Sequence, residues 1–412
     1  MERKSIKPRD NYQRIVENLG FTFHKDYWLE DACYALSMSE VEQIEKATAE
    51  CYDMYCQAVE KCLYDDRRLD LLRIPQKVRN FIRRSWEEDD LSLYGRFDFA
   101  LVDGQLKMLE FNADTPTSLL EAAVVQWQWK EDVFPANDQF NGIHEGLVAS
   151  WKDIHKAYRC DQYFFASVSD FEEDNMTLKY LIATAIEAGL VTGEIDIEDI
   201  MHVNGTLYAS PENPISCMFK LFPWETMFEQ NPDACMTEMC WLEPLWKSLM
   251  SDKAMLPILH ELFPHSPYIL PAFFEPGKLS SYCRKPVFSR EGANIRLVRN
   301  GLLLEESGGE YGKEGHVYQQ LVEIPKRIFM GGDSIRFTVP CYGWRTPFRP
   351  PTTRAARRQG TWVHPAGAGC GCRGSAGRCR ALPARIHRPP AHPAAAAAHR
   401  SPRTGRRRAL CR

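Results

Sequence analysis

The first 90 residues repeat apolar side chains at helical spacing. From Val41 onward, apolar positions recur three and four residues apart, at Val41, Ile44, Ala47 and Cys51. Ser39 lies just ahead of this run and is predicted to cap the helix. We expect residues 1–90 to form a helical layer that covers a sheet, with three packing residues at Tyr52, Met54 and Tyr55.

Residues 94–118, YGRFDFALVDGQLKMLEFNADTPTS, change to the period of β-strands. Apolar residues alternate on both sides of Asp103 and Gly104, and a glycine at this place supplies the positive φ of a tight turn. We predict a hairpin with a three-residue loop at 103–105, in which residue 102 pairs with residue 106.

This register divides the hairpin into an apolar face and a polar face. Strand side chains alternate with a period of two, so the pairing brings four residues onto the polar face: Arg96, Asp98, Glu110 and Asn112. The apolar face holds Phe97, Phe99, Leu109 and Phe111. A two-residue loop would place Asp98 and Glu110 on opposite faces, so the loop length decides whether the polar face assembles.

The polar face carries residue types suited to phosphate chemistry. Two carboxylates and an amide oxygen are hard ligands that hold Mg²⁺ through few protein contacts and leave positions for phosphate oxygens. The neighbouring arginine offers planar donors to a phosphoryl group. The alternative is a solvated sheet face with a surface ion pair, which contributes about 0 to 1 kcal/mol to stability.

The pattern R-x-D-(x11)-E-x-N, followed by small residues and a proline, resembles the metal-binding segment of ATP-grasp ligases. The longer string EFNADTPTSLLEA is similar to the glutathionylspermidine synthetase family in particular. The resemblance runs from near the N-terminus to about Lys326. It implies that Asp98, Glu110 and Asn112 bind Mg²⁺, that Arg96 stabilises the transition state, and that ATP contacts the three residues Arg96, Phe97 and Asp98.

The same resemblance extends to residues near the other end of the match. Lys253 and Lys285 correspond to the phosphate-contacting lysines, and the loop 287–295, with Gly292, would cover the triphosphate. Gln319 is the candidate for the adenine edge, with Gln320 as the alternative. The metal segment precedes the lysines, as in the permuted order of this family. GGEYGKE at 308–314 lacks the spacing of a Walker A loop.

Residues 160–245 predict a small parallel α/β unit. An apolar strand from Tyr163 to Val168, a helix that ends at Gly189 and a second strand form a βαβ pattern. Acidic residues at 170–174 follow the first strand, where ligands of open α/β sheets bind; they could equally complement the helix dipole. Within the resemblance, Glu172 and Glu173 would bind the amine substrate, and Thr115 and Thr117 the acid.

The charge is divided unevenly along the chain. Residues 1–326 hold 54 acidic and 33 basic residues, about −21, whereas residues 327–412 hold 18 Arg, no Lys and one Asp, about +17. The second segment is rich in Arg, Pro and Ala without apolar periodicity, so we expect disorder. It could be a basic arm that binds nucleic acid, although the acidic remainder argues against that partner. We favour a change of reading frame near codon 327.

Composition indicates the cellular compartment and the state of the cysteines. The N-terminus has no apolar h-region, and no apolar run is long enough for a membrane helix, so we expect a cytoplasmic protein without a membrane partner. The 14 cysteines are scattered and fit reduced thiols better than a disulfide framework. Cys370, Cys372 and Cys379 are a weak zinc signal. The oligomeric state is open.

These observations lead to an α/β (α+β) fold of permuted ATP-grasp lobes, with a pre-ATP-grasp-like α/β unit and a helical N-terminal layer. We predict the regions 1–90, 91–130, 160–245 and 246–326, followed by the tail 327–412. The predicted function is an ATP- and Mg²⁺-dependent ligase that joins a glutathione- or peptide-like carboxylate to a polyamine-like amine through an acyl phosphate. The alternatives are an inactive ATP-binding relative that has lost its native C-terminus, and a nucleic-acid-binding protein.

Overall fold

The structure is a computed structural model. It describes residues 1–26 and 28–322, and the backbone of one further strand, Ile335–Val339. This strand lies within the basic tail 327–412, for which disorder was expected. The rest of the tail, the proposed change of reading frame and the three cysteines at 370–379 lie outside the described residues, so those expectations stay predictions.

The N-terminal part is a helical layer, as predicted, with a two-stranded antiparallel ribbon beside it. The ribbon consists of β1 (Glu2–Ser5) and β2 (Ala32–Ala35). The helices are α1 (Tyr12–Asn18), α2 (Met38–Leu63), α3 (Asp66–Leu71) and α4 (Arg79–Glu87). Short 3-10 turns occur here and later, at His24–Asp26, Ile197–Asp199, Ala234–Met236 and Pro276–Lys278.

Helix α2 is capped by Ser37, so the prediction of Ser39 as its N-cap is wrong. The Ser37 hydroxyl accepts a hydrogen bond from the Glu40 backbone N–H at 3.3 Å, and the Glu40 carboxylate accepts one from the Ser37 N–H at 2.8 Å. This reciprocal pair is a capping box. The helix therefore starts at Met38, two positions earlier than a cap at Ser39 would place its first residue.

The hairpin is formed by β3 (Gly95–Val102) and β4 (Gln105–Asn112). Its loop has two residues, because Val102 pairs with Gln105, so the predicted three-residue loop is wrong. Asp103 and Gly104 both have positive φ, 49° and 77°, as a tight two-residue turn requires.

A β-bulge restores the predicted pairing at the polar face. Phe99 pairs with Met108 but Asp98 pairs with Glu110, which leaves Leu109 as the extra residue of β4. Arg96 therefore faces Asn112 as predicted. The bulge also changes the apolar face, since Met108 is buried in the core and Leu109 is only half-buried.

The segment after the hairpin leads into the parallel α/β unit. A π-helical turn (Glu121–Val125) continues as α5 (Gln126–Val133), and α6 (Ile143–Tyr158) follows. The unit contains β5 (Tyr163–Ser167), α7 (Glu172–Glu187), β6 (Thr192–Asp196), β10 (Cys217–Lys220), α8 (Trp224–Gln230) and β11 (Cys240–Leu242). Its strands are parallel in the order β11-β10-β5-β6, which confirms the predicted βαβ pattern. A small antiparallel sheet, β7 (Met201–Val203), β8 (Thr206–Ser210) and β9 (Asn213–Pro214), is inserted after β6.

The remaining described residues form a five-stranded antiparallel sheet with two helices. The helices are α9 (Lys247–Ser251) and α10 (Met255–Leu262). The strands are β12 (Ala272–Phe273), β13 (Tyr282–Pro286), β14 (Arg296–Arg299), β15 (Leu302–Glu306) and β16 (His316–Gln320), in the order β12-β16-β13-β14-β15. Strand β17 (Ile335–Val339) pairs antiparallel with β3. The region boundaries predicted from the sequence stay predictions.

Two hydrophobic cores support these sheets. In the first, α2 packs on the apolar face of the hairpin, where the Phe97 and Phe111 rings stack with centroids 3.9 Å apart and Tyr55 contacts both rings edge-on. The second core lies around the parallel sheet and α6, with Trp151 fully buried. The tyrosines of α2 are thus packing residues, as predicted. Among the described helices, none is both long and apolar enough to cross a bilayer.

The capping box of α2 gives a matched pair of substitutions. We expect Ser37→Ala to lower the free energy of unfolding by about 1 kcal/mol, because the N–H of Glu40 loses its side-chain acceptor. Ser39→Ala removes an exposed hydroxyl inside the helix and should change the value by less than about 0.5 kcal/mol. Urea denaturation of both variants measures the difference. Equal losses would contradict the assignment of Ser37 as the cap.

Candidate active site

The arginine of the polar face is held in a fixed position. Arg96 Nε donates to Asp98 Oδ1 at 2.9 Å, and Nη1 donates to the carbonyl oxygen of Thr117 at 3.1 Å. Both Arg96 and Asp98 are buried. A buried, bidentate pair of this kind is far better ordered than the solvated surface pair that the sequence left open.

Glu110 lies among cations from three separate segments. Its Oε2 is 3.3 Å from Lys253 Nζ, and its Oε1 accepts a hydrogen bond from Asn112 Nδ2 at 3.4 Å. Burial by itself would raise the pKa of Glu110, but Lys253, Lys285, Arg96 and the Asn112 hydrogen bond outweigh burial and lower this pKa to about 2. Glu110 is therefore ionised at neutral pH.

The two predicted phosphate lysines meet the hairpin from the antiparallel sheet. Lys253 lies just before α10, and its Nζ donates to the Ser289 carbonyl oxygen at 2.5 Å. Lys285 lies in β13, and its Nζ donates to the Leu109 carbonyl oxygen at 2.9 Å. Both side chains are buried. The bulged residue thus supplies the contact between the hairpin and this sheet.

Gln319 points inward and Gln320 outward. The Gln319 side chain is buried in β16, and its Nε2 donates to the carbonyl oxygen of Met108 at 3.2 Å, whereas Gln320 is exposed. This favours Gln319 over the alternative. Gly292 lies in the loop between β13 and β14 with a φ of 73°, a conformation that glycine adopts without strain.

The remaining candidates are Phe97, Glu172 and Glu173. The Phe97 side chain is 1% exposed in the core on the opposite side of the hairpin, so only its backbone could meet a nucleotide. Glu172 is exposed and accepts a hydrogen bond from the Thr22 hydroxyl. Glu173 is half-buried at the start of α7. Beside it, burial and the charge of Glu173 raise the pKa of Asp174 to about 6.

The loop at 287–295 is tied to the segment after β4 by Arg290, which sequence reasoning missed. Its guanidinium donates to the Thr115 hydroxyl, and Nη2 donates to Glu225 Oε1 at 2.8 Å. Thr117 contributes through its carbonyl oxygen, which holds Arg96. The signal for Arg290 in the sequence was its place beside Gly292, within the predicted phosphate loop.

Two buried ion pairs hold the open ends of the hairpin. Lys220, the last residue of β10, donates to Asp114 Oδ1 at 2.7 Å, two residues after β4 ends. Glu243, just after β11, accepts from the Tyr94 N–H at 2.9 Å, and Lys247 Nζ donates to Glu243 at 2.8 Å and to the Tyr94 carbonyl oxygen at 2.6 Å. The carboxyl ends of two adjacent parallel strands therefore fix both ends of β3 and β4. No local pattern links Asp114 to Lys220 or Tyr94 to Glu243, since each of these pairs is separated by more than a hundred positions.

Asp252 is a further buried carboxyl beside Lys253. Its Oδ1 accepts from the Ala254 N–H at 2.7 Å, and its Oδ2 lies 3.9 Å from the Arg73 guanidinium without a hydrogen bond. Burial raises the pKa of Asp252 to about 8. The sequence gives no signal for this shift, since the residue reads as an ordinary helix cap.

The side chains of the polar face suit Mg²⁺ as a partial set of ligands. Among the described residues there is no cluster of three or more acidic, histidine or cysteine side chains that could hold a metal alone. The polar face offers two carboxylates and an amide on directly paired strand positions, and Glu110 stays ionised. Such a set suits an ion that keeps several positions for water and phosphate oxygens.

The fold is of the ATP-grasp type, and the comparisons with known proteins define the family. The chain matches the family described as glutathionylspermidine synthase preATP-grasp over residues 3–339. It is 35% identical over 344 residues to a Haemophilus influenzae protein named as an acid–amine ligase, which covers 77% of this chain and 86% of that one. The chain belongs to the glutathionylspermidine synthase family.

Longer relatives match the same region. The bifunctional glutathionylspermidine synthetase/amidase of Escherichia coli is 28% identical over 325 residues, which cover 71% of this chain and 52% of that one. Trypanothione synthetase of Crithidia fasciculata is 28% identical over 312 residues, or 67% and 47% of the two chains. The match therefore spans about half of each of these two relatives. The family match also continues beyond Lys326, through the end of β17.

The charge environment of Glu110 predicts a pH-dependent contribution to stability. Folding depresses its pKa from the ordinary 4.5 to about 2, so the contribution is complete above pH 4.5 and is lost as the pH falls towards 2. We expect Glu110→Gln to lower the free energy of unfolding at pH 7 by on the order of 3 kcal/mol. The gap in this free energy between the variant and the unmodified protein should narrow between pH 4.5 and pH 3.

Urea denaturation at pH 7, 5, 4 and 3 measures this gap. Glu305→Gln, in the exposed strand β15, is the control and should change stability by less than about 0.5 kcal/mol at each pH. A gap that stayed constant down to pH 3 would show that Glu110 titrates normally.

Proposed function

We propose that this protein is an ATP- and Mg²⁺-dependent ligase that forms an amide between a carboxylate and an amine. The observation that carries the proposal is the ionised Glu110 beside Lys253 and Lys285, on the same strand face as the fixed Arg96. These residues come from three distant segments, yet they converge on one place. Two relatives are named for the same class of reaction, one as an acid–amine ligase and one as a glutathionylspermidine synthetase.

Asp98, Glu110 and Asn112 would hold Mg²⁺, which supplies charge neutralisation of the phosphates when it is bound. Asp98 pairs with Arg96 and Glu110 with Lys253, so protein cations balance both carboxylates. Lys253 and Lys285 would contact the triphosphate. The loop at 287–295 would cover it with backbone N–H groups near Gly292, and Gln319 would meet the adenine edge.

The chemistry proceeds in two steps. The substrate carboxylate attacks the γ-phosphorus of ATP and gives an acyl phosphate and ADP, while the Arg96 guanidinium stabilises the charge on the transferring group. The amine then attacks the acyl carbon, the amide forms and phosphate leaves. Burial of Arg96 and Asp98 keeps the guanidinium aimed at the polar face throughout.

The substrates are a glutathione- or peptide-like acid and a polyamine-like amine. Thr115 and Thr117 lie directly after the polar face, where the carboxylate has to reach the γ-phosphate. The acidic start of α7, with Glu172, Glu173 and Asp174, is suited to a polycationic amine. ADP release that requires Mg-ATP, glutathione and a polyamine together tests this proposal. ATP binding without ADP release would instead indicate an inactive relative.

Asp98 provides the test of the polar face. We expect Asp98→Asn to reduce ADP release by about 100-fold or more, because the amide loses the charge that orients Arg96 and binds the metal. The thermal unfolding midpoint should fall as well, because the buried Arg96 loses its charged partner, so turnover is measured well below that midpoint. Asp138→Asn, an exposed position between α5 and α6, is the matched control. Full turnover in Asp98→Asn would rule out the proposed role.

Lys253 provides the test of the nucleotide side. Lys253→Gln should weaken ATP binding by about 10- to 100-fold, because a hydrogen bond from a charged donor contributes about 1.5 to 3 kcal/mol. Lys313→Gln alters an exposed lysine of the GGEYGKE segment and should leave the dissociation constant unchanged. Isothermal titration with a non-hydrolysable ATP analogue measures both. Equal affinities would place the triphosphate elsewhere.

A further inference from the structure

Three cysteines meet at the amino ends of the parallel strands, opposite the carboxyl ends that hold the hairpin. Cys217 and Cys240 are the first residues of β10 and β11 and lie directly opposite one another in the register. Cys160 lies three residues before β5, and its N–H donates to the Tyr163 hydroxyl at 3.3 Å. The Cys217 side chain interacts with those of Cys160 and Cys240. We name these residues the three-thiol cluster.

The cluster is reached from the surface through Cys160. Cys217 and Cys240 are buried, whereas Cys160 is half-buried and lines a cleft of about 540 Å³. The cleft is also lined by three basic side chains, His155, Lys156 and Arg159, against one carboxylate, Asp161. An anionic small molecule would therefore be attracted to Cys160, the thiol of the cluster that solvent can reach.

Cys160 also differs from the other cysteines in its acidity. The hydrogen bond from the Cys217 thiol lowers the pKa of Cys160. Burial raises the pKa of Cys217. Burial also raises the pKa values of the half-buried Cys33 and Cys283. Because the thiolate is the attacking species in exchange reactions, Cys160 is the favoured nucleophile of the described chain.

The cluster is not arranged for a metal ion. Within the described residues, no group of three histidine, cysteine or acidic side chains has a geometry that could hold one. Two buried thiols beside a half-buried and more acidic one are instead the arrangement of an attacking and a resolving thiol.

We propose that Cys160 and Cys217 form a thiol–disulfide exchange site for low-molecular-weight disulfides of anionic thiols. The Cys160 thiolate attacks one sulfur of such a disulfide, RSSR, and forms a mixed disulfide while one RS⁻ leaves. Cys217 then loses its proton and attacks the Cys160 sulfur, and the second RS⁻ leaves. Two protein thiols are thus oxidised to one disulfide, and one RSSR is reduced to two thiols. The proposal does not depend on the ligase function.

Oxidised glutathione is the probe for the test. We use the full-length chain with its five cysteines after residue 340 replaced by serine, so that the described cysteines can be followed alone. Treatment should remove two hydrogen atoms from the intact mass, and peptide mapping should find Cys160 linked to Cys217. Cys217→Ser should instead retain one glutathionyl group on Cys160, and Cys160→Ser should block both products.

A labelling experiment on the unsubstituted thiols keeps the proposal testable if a variant fails to fold. Limiting iodoacetamide at pH 7 should label Cys160 at least ~10-fold faster than Cys33, which is equally half-buried but lies outside the cluster. Site-resolved mass spectrometry gives both rates in one sample. Equal rates would overturn the assignment of Cys160 as the reactive thiol.

The charge of the cleft is tested with two disulfides. The rate with oxidised glutathione, divided by the rate with the neutral bis(2-hydroxyethyl) disulfide, should be higher at Cys160 than at Cys33. Lys156→Glu, an exposed position on the cleft, should lower this ratio at Cys160 several-fold. A ratio that does not change in Lys156→Glu would contradict the proposed substrate class. A linkage of Cys160 to Cys240 would contradict Cys217 as the resolving thiol.

Discussion

The charge of Glu110 is the constraint on which the assembled site depends. A buried carboxylate is tolerated only when cations or hydrogen bonds compensate it. Here the compensation comes from Lys253, which precedes α10, and from Lys285 in β13. Both lysines donate in turn to main-chain carbonyl groups, of Ser289 and Leu109. One carboxylate thereby joins the hairpin to the antiparallel sheet, and the same carboxylate is the proposed metal ligand.

The hairpin shows what its sequence could and could not predict. The alternation of apolar and polar residues was sufficient to predict two strands and the residues of the polar face, and those predictions are confirmed by the pairing of Asp98 with Glu110. The turn was predicted one residue too long, and the bulge at Leu109 was missed. The two errors compensate, because a shorter loop and an extra strand residue shift the register in opposite directions. A bulge has no local signature when the extra residue is as apolar as its neighbours.

Sequence patterns could not predict the contacts between distant segments. Lys253, Lys285 and Gln319 were found only through the resemblance to a family, since a lone lysine or glutamine has no periodicity. Asp114 and Lys220, and likewise Tyr94 and Glu243, meet through the topology of the parallel sheet. Periodicity describes one element at a time, so it cannot show which elements end at the same edge. Ser37 illustrates the local counterpart, where side-chain capping overrode the apolar pattern.

The arrangement divides the site into a fixed part and a docked part. The hairpin is held at its open end by the buried pairs of Lys220 and of Lys247, and on its apolar face by α2. The antiparallel sheet reaches it through hydrogen bonds to the carbonyl groups of Met108 and Leu109, at and beside the bulge. The bulge leaves Leu109 outside the strand ladder, so its carbonyl oxygen is available to Lys285 of the second sheet. The irregularity that the pattern concealed therefore lets Lys285 approach the polar face.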